Sequence, residues 1–409
     1  MRLLRFTIRF TFVAILFVAA FAPSAHAQIA VRGETVYTMS GAPIKDGVVL
    51  IRGKKIERVG AASQVAIPSG YKVLTAKVVT PGLIDAHSTV GLSGIFNTSG
   101  DQDQLELSAP VQPELRAIDA YNPREALVEF VRNLGVTTLH TGPAPGMLAS
   151  GQTIIVKTAG RTVEEALVDS LGMVTFTLGE SVSQNFKSPG TRAKSVAMLR
   201  EEFLKAQDYA KRLKLKDLEK RPPRDLRSDM LLQVLSRSVT ALFTAHRATE
   251  IMSVLRLQKE FGFKLVLDGG AEAYLLMNEL KAAGVSVIIH PTMIRTYGDA
   301  KNASLETAAK LRAAGIAIAF QSGYEAYVPK TRIVLYEAAV AAANGLAFND
   351  ALSALTIDAA KLLGIEKRVG SLEQGKDADV VLFDGDPFEY TTHTCGVIIG
   401  GAVASETCK

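Results

Sequence analysis

An alternation of strand-like and helix-like segments begins at Pro81 and limits the folds that this chain can adopt. Helical periodicity lies between many of the strand-like runs, at residues 123–134, 193–215, 248–261, 271–283 and 304–314. Repeated strand–helix units predict parallel strands joined by crossover helices. The apolar strand-like runs are residues 83–87, 136–141, 153–158, 174–179, 239–246, 264–269, 285–290 and 317–322.

The number of these units predicts an α/β fold of the TIM-like (β/α)8 barrel type, which usually takes about 250 residues. An open doubly wound sheet is the competing architecture, and periodicity alone does not separate the two. Residues 28–80 and 369–409 are instead rich in short strands and turns. We therefore predict a barrel over residues 81–368 and a small β-sandwich domain built from both chain ends.

Residues 1–27 have the pattern of a signal peptide. Arg2, Arg5 and Arg9 precede an uncharged apolar run at 11–22, and Ala25-His26-Ala27 matches an A-x-A cleavage site. The run is shorter than the roughly 20 residues that span a membrane. We expect cleavage after Ala27 and a periplasmic or secreted protein without a membrane span.

Charge limits the classes of binding partner, and cysteine content bears on the cellular compartment. The formal net charge is +5, and three of the positive charges lie in the leader, so nothing in the composition favours nucleic acid. Cys395 and Cys408 are the two cysteines, and in an oxidising compartment they could pair. A two-residue turn at Gly400-Gly401 would set them diagonally, about 7–8 Å apart. Pairing therefore needs a bulge or a frayed end in the hairpin.

Four histidines stand at or beside the carboxyl ends of strand-like runs: His87, His140, His246 and His290. In a barrel these ends form the active-site face, so the four imidazoles would converge there, as metal ligands do. The alternative for each histidine is a hydrogen-bonded structural role.

Two motifs resemble the amidohydrolase superfamily. Residues 79–87 (VTPGLIDAH) look like its first barrel strand, and residues 369–382 (VGSLEQGKDADVVL) resemble its C-terminal signature. The resemblance covers nearly all of the chain after the leader and is closest to the imidazolonepropionase-like branch of secreted bacterial amidohydrolases. It implies a (β/α)8 barrel and hydrolysis of C–N bonds, often of cyclic amides. In this family, zinc or another divalent metal activates the attacking water.

The family's metal ligands imply a candidate set in this chain. They are a His-x-His pair on the first strand, often a carboxylated lysine, one His on each of two later strands, and a terminal Asp that is also the general base. The residues that remain as candidate ligands here are His87, Lys157 and His246. Several other ligand positions are replaced, and the residues there are Thr89, Thr244, Gly269 and Gly323. If the alignment is shifted, Asp268 and Glu325 are near enough to take over.

The resemblance implies a metal-dependent hydrolase acting on amide-type small molecules. With an incomplete ligand set, the alternative is a catalytically silent amidohydrolase-fold protein that binds a ligand or forms a subunit beside an intact relative. Assembly with itself or with such a relative stays open. We expect His140, His290 and Tyr324 to line the substrate pocket, where Tyr324 could fill the volume that the missing Asp leaves.

Overall fold

The computed structural model describes residues 28–96, 98–289, 298–324 and 334–408. The predicted signal peptide, His290 and Glu325 lie outside the described residues. No helix in the described ranges is long and apolar enough to cross a membrane.

The described elements follow the chain in an order that begins and ends with strands. The strands are β1 Gln28–Val36, β2 Ile44–Arg52, β3 Lys55–Ala61, β4 Lys72–Pro81, β5 Leu83–Ser88, β6 Val136–Thr141, β7 Ala149–Gln152, β8 Ile154–Lys157, β9 Leu167–Asp169, β10 Met173–Thr177, β11 Thr240–Ala245, β12 Leu265–Gly269, β13 Ser286–Ile289, β14 Ile318–Phe320, β15 Val380–Phe383, β16 Thr394–Ile399 and β17 Ala402–Ser405. The α-helices are α1 Ala126–Asn133, α2 Val163–Ala166, α3 Glu180–Asn185, α4 Arg192–Leu213, α5 Leu226–Leu235, α6 Ala248–Phe261, α7 Met277–Ala282, α8 Thr307–Ala313, α9 Val334–Ala343, α10 Phe348–Ala354 and α11 Ile357–Leu362.

Strands from both chain ends share one seven-stranded sheet, which we call the terminal sheet, in the order β17-β16-β15-β4-β1-β2-β3. β4 lies parallel to β1 and antiparallel to β15, so it connects the two ends. Apolar residues of both ends, among them Val31, Ile51 and Val380, form its buried cluster. The sequence predicts a sandwich, whereas the described strands of this region form this single sheet.

The central region contains two sheets, one of six mainly parallel strands and one of four strands in which only β5 and β6 pair in parallel. One has the order β14-β13-β12-β11-β10-β7 and the other has the order β5-β6-β8-β9. Helices connect successive parallel strands, as α6 connects β11 to β12 and α7 connects β12 to β13. The predicted α/β class is confirmed.

The described strands do not form one closed barrel, and the direction of β8 shows why. Residues 153–158 are predicted to be a further parallel strand, but β8 runs antiparallel to β6. Only residues 142–153 separate the two strands, and they contain β7 and no helix. A parallel return usually runs through a crossover helix, which this connection lacks, so the chain turns back in the antiparallel direction.

The two central sheets are hydrogen-bonded to each other at two places. Ser88 of β5 and Gly323 after β14 form a parallel bridge, and the Thr153 N–H donates to the Met173 carbonyl at 2.9 Å. An inner apolar cluster draws on both sheets and includes Ile84, Leu242, Val266, Ile288 and Ala319. The carboxyl ends of β5, β11, β12 and β14 are thereby brought to one place.

Cys395 and Cys408 are joined in a disulfide. The hairpin of β16 and β17 changes register between Val397 and Ile398, which is a bulge of the kind that the pairing needs. The predicted pairing is confirmed.

Candidate ligand-binding site

A buried carboxylate, Asp268 near the end of β12, is the centre of the site. It accepts hydrogen bonds from Thr244 Oγ1 at 2.5 Å, from Gln321 Nε2 and from the Tyr324 hydroxyl. The Nδ1 of His87 lies 3.4 Å from Asp268 Oδ1. Gln321 and His87 face Oδ1, while Thr244 and Tyr324 face Oδ2. A carboxylate offers about four lone-pair positions, so every position has a neighbour that can donate.

Strand alternation explains how these residues meet. β11 and β12 are parallel and in register, with Thr244 beside Asp268. Side chains two residues apart on a strand share a face, so both point to the side that carries Leu242 and Val266. The inward residue of β12 is therefore Asp268, one position before Gly269, where the resemblance implies a ligand.

Gly269 has a separate steric role. Its φ is +83°, and a Cβ there would lie 2.5 Å from Cε1 of His246. The His246 ring therefore occupies the space that a side chain at position 269 would need. His246 is half-buried, and its Nδ1 has no hydrogen-bond partner. Burial lowers the pKa of His246, against the raising effect of the nearby Asp268 charge.

The donors around Asp268 determine its ionisation. Burial by itself raises the pKa of this carboxyl, but the charge of His87 and the hydrogen bonds from Thr244 and Tyr324 outweigh burial. The pKa of Asp268 is therefore well below its ordinary value. Burial and the Asp268 charge raise the pKa of Tyr324 well above normal, so its hydroxyl keeps the proton and donates it.

His87 is enclosed and not fully hydrogen-bonded. Its side chain is 1% exposed, and neither ring nitrogen has a hydrogen-bond partner by geometry, since the 3.4 Å approach to Asp268 is an ion-pair distance. Its ring centroid lies 5.0 Å from that of Tyr324, edge to face, and 5.6 Å from that of His140. The Oε1 of Gln321 also has no partner. Beside Asp268, both ring nitrogens of His87 and the Oε1 of Gln321 thus have unmet hydrogen-bonding capacity.

His140 is satisfied on both nitrogens. Its Nδ1 lies 2.6 Å from the Ala86 carbonyl, so it must be the donor there, and its Nε2 accepts from the Thr153 hydroxyl at 2.6 Å. Burial, followed by the charge of His87, lowers the pKa of His140 to about 3. The ring is neutral and forms a wall behind His87, so no nitrogen is left for a ligand.

The structure places Lys157, a candidate metal ligand in the sequence, away from this site. Because β8 is antiparallel to β6, Lys157 pairs with Thr138, away from the carboxyl end of β6. Its Nζ hydrogen-bonds to Asp379 and lies 3.7 Å from Asp377. Lys157 therefore faces the C-terminal signature and not His87.

Asp85 and Ser322 are site residues that the sequence reasoning missed. Asp85 is buried and accepts from Ser322 Oγ at 2.5 Å and from the Ser322 N–H at 3.1 Å. Burial raises the pKa of Asp85 to about 7, although these hydrogen bonds oppose the rise. The sequence feature that could have identified Asp85 is its position two residues before His87. This position puts the Asp85 carboxyl group at the edge where β5 meets β14.

The described residues do not fit a resident metal. Among them, no group of three or more His, Cys, Asp or Glu side chains is arranged to hold an ion. Asp268 already faces four donors, and both nitrogens of His140 are used. His87 and His246 keep an unpartnered nitrogen, and a catalytic zinc site has three protein ligands.

Comparisons with known proteins agree with the fold. The model of the amidohydrolase family matches residues 307–404. A solved amidohydrolase from Thermotoga maritima is 31% identical with a TM-score of 0.86, over 92% of this chain and 99% of that one. A zinc-bound adenosine deaminase from Xanthomonas campestris is 14% identical with a TM-score of 0.52, over 92% of each chain, and it shares the fold alone.

The curated amidohydrolase tasK of Hapsidospora irregularis is 22% identical over 364 residues. The match covers 81% of this chain and 37% of tasK, so the chain spans little more than a third of that relative.

Proposed function

The chain belongs to the amidohydrolase family, and from this premise we propose that it is a periplasmic or secreted protein that binds a small amide-type molecule beside Asp268 without a resident metal ion. Hydrolysis of a C–N bond by metal-activated water is then absent or very weak. The observation that carries the proposal is the set of four neighbours around the Asp268 carboxylate.

A metal ion at this place would compete with those neighbours. To bind Asp268 it must displace a donor such as Thr244 or Tyr324, each of which makes a charge-assisted hydrogen bond. The displaced hydroxyl would be left buried without an acceptor, at a cost of about 1–3 kcal/mol. A zinc-bound relative, the Xanthomonas deaminase, shows that the fold accepts a metal. The residues of this chain favour a hydrogen-bonded site instead.

The unpartnered atoms beside Asp268 complement an amide. An amide N–H can donate to Gln321 Oε1, and an amide carbonyl can accept from a ring N–H of His87. Both protein groups are buried and unpaired. Pairing a buried polar group recovers a desolvation penalty of about 1–3 kcal/mol, so a ligand that pairs both gains specificity as well as affinity.

We also infer that the two central sheets are parts of a TIM-like (β/α)8 barrel over residues 81–368. The two hydrogen-bonded contacts between the sheets support this inference, as does the extent of the similarity to the Thermotoga structure. Residues 28–80 and 369–409 then form the second domain, and residues 1–27 are the removed signal peptide.

Weak hydrolysis of a C–N bond without a metal is a second candidate, favoured by the pair of His87 and Asp268. In its neutral form His87 could take a proton from water at its unpartnered Nε2, and Asp268 would stabilise the imidazolium that results. The water oxygen would bond to the amide carbon, and the proton would pass to the leaving nitrogen. A positioned general base contributes roughly 10²–10⁴-fold, far less than a complete metal site.

The first test measures the zinc content of the purified mature protein after it has been refilled with zinc and dialysed. The His87→Ala variant is treated and measured in the same way. We expect far less than one zinc per chain in both. Near one tightly held zinc per wild-type chain, lost in His87→Ala together with an amidase activity, would overturn the proposal.

Ligand binding is tested by the shift in melting temperature with 2-pyrrolidinone and hydantoin. We expect both cyclic amides to stabilise the wild type and to stabilise Gln321→Leu much less. Gln207→Leu, on the outer helix α4, is the matched control and should respond like the wild type. No shift in the wild type with either probe would contradict amide binding.

A further inference from the structure

Tyr324 occupies the position beside Asp268 where a ligand would bind. We propose that Tyr324 is a built-in blocking residue: its hydroxyl holds Asp268, its ring packs against His87, and among the described residues it is this phenol that a ligand must displace to reach Asp268. That such a ligand exists rests on the proposed function, whereas the blocking contact is tested below without any ligand.

Two contacts place the phenol over the site. The Tyr324 hydroxyl donates to Asp268 Oδ2, and the ring packs edge to face on His87 with centroids 5.0 Å apart. On another side of His87 stands the His140 ring, which is held at both nitrogens. Tyr324 lies outside the described strands, so its side chain can move away from Asp268 without breaking a strand.

The blocking contact also selects the ligand. Asp268 is ionised and can only accept hydrogen bonds. A molecule that displaces the Tyr324 hydroxyl from Asp268 must itself supply an N–H or O–H donor. Otherwise the buried carboxylate oxygen loses the hydrogen bond that Tyr324 had donated. A ligand with one amide N–H meets this demand by sharing that N–H between Asp268 Oδ2 and Gln321 Oε1 as a bifurcated donor, and an N-alkylated amide of the same shape does not.

Displacing the phenol costs binding free energy, because only the displaced form can accept the ligand. The apparent affinity is reduced by the fraction of molecules in that form. Tyr324→Phe removes the hydroxyl contact and leaves a ring of nearly the same shape. We expect Tyr324→Phe and Tyr324→Ala to bind 2-pyrrolidinone more tightly than the wild type, by about tenfold if the contact is worth about 1.4 kcal/mol.

The direct test labels histidines with diethyl pyrocarbonate and measures each site by peptide mass spectrometry. His393, whose side chain is 56% exposed, is the internal reference, and His140 is the internal buried control. In the wild type we expect His87 to react at least about tenfold more slowly than His393, since reaction requires local opening. In Tyr324→Ala, His87 should approach the rate of His393 while His140 stays protected, and Tyr324→Phe should be intermediate.

Tyr274→Ala serves as the matched variant, because the Tyr274 hydroxyl bonds the Asn302 carbonyl at an exposed position. It should leave His87 protected. Two outcomes would overturn the proposal: a wild-type His87 as reactive as His393, or a His87 still protected in Tyr324→Ala with a native circular dichroism spectrum. If Tyr324→Ala is unfolded, the Tyr324→Phe result decides.

The ligand arm compares 2-pyrrolidinone with N-methyl-2-pyrrolidinone by calorimetry. We expect the first to bind and to protect His87 of Tyr324→Phe from labelling, and the second to do neither. Equal binding of both would overturn the selection argument. A stoichiometric zinc content would overturn the proposed function while the labelling result stood, so the two failures are distinguishable.

Discussion

The two buried carboxyl groups of the site, Asp85 and Asp268, have pKa values that are shifted in opposite directions. Asp268 faces the charge of His87 in addition to hydroxyl and amide donors, and its pKa falls. Asp85 receives hydrogen bonds mainly from Ser322, so burial dominates and raises its pKa to about 7. Near neutral pH, one carboxylate is therefore charged and the other is close to its midpoint.

The raised pKa of Asp85 makes stability depend on pH. The native state binds this proton more tightly than the unfolded chain, so the contribution of Asp85 is complete below its ordinary pKa of about 3.9. It is lost as pH rises through about 7. In this window we expect the free energy of unfolding of the wild type, relative to Asp85→Asn, to fall by about 1.4 kcal/mol per pH unit.

Urea unfolding of both proteins at pH 5, 6, 7 and 8 measures the difference, in which other titrating groups cancel. Asp119→Asn is the control, because Asp119 is exposed and its pKa is lowered by its hydrogen bond to Arg116. Parallel stability curves for wild type and Asp85→Asn would contradict the expected titration.

Among the secondary-structure elements, β8 of the central region is connected to the C-terminal signature by a group of ion pairs, which we call the joint. The Lys157 ammonium bonds Asp379 and lies near Asp377, and both carboxylates are mostly buried. Asp377 also pairs with Lys55 of β3 at 2.8 Å. The joint thus links a central strand, an early strand of the terminal sheet and the chain that enters β15.

We expect Lys157→Met to destabilise the protein by about 3–5 kcal/mol, because it leaves the buried Asp379 carboxylate without its cation. Guanidinium unfolding gives the value. The matched control is Lys205→Met, where an exposed lysine pairs with Glu201 and a loss below about 1 kcal/mol is expected. Similar small losses in both variants would show that the joint contributes little.

For the whole molecule, the terminal sheet makes the two chain ends interdependent. β4 lies between β1 and β15, so removing either end exposes an edge of the other. The disulfide between Cys395 and Cys408 closes the last hairpin across 13 residues of sequence. It stabilises the edge of the sheet that ends at β17.

Replacing both cysteines with serine should lower stability by at most about 3 kcal/mol, the loop-closure value for a loop of this length. The loss should be smaller if the unfolded hairpin keeps some structure. Thiol titration of the denatured wild type under non-reducing conditions should find no free thiol. Two free thiols per chain would contradict the bond.

The local sequence pattern by itself determines the fold class and the position of one residue of the site. Alternating apolar runs predict α/β structure. The motif that ends at His87 places this histidine at the end of β5. Each conclusion depends only on residues near one another in the chain, where backbone geometry dictates direction.

Tertiary structure alone decided what these side chains do. Tyr324 meets Asp268 across 56 positions of sequence, and the reversed direction of β8 turns Lys157 from the site to Asp379. His140 is neutral and Asp85 is poised near pH 7 because of burial and partners. A side chain's partners, charge and access depend on the packing of distant segments, and local pattern carries no information about that packing.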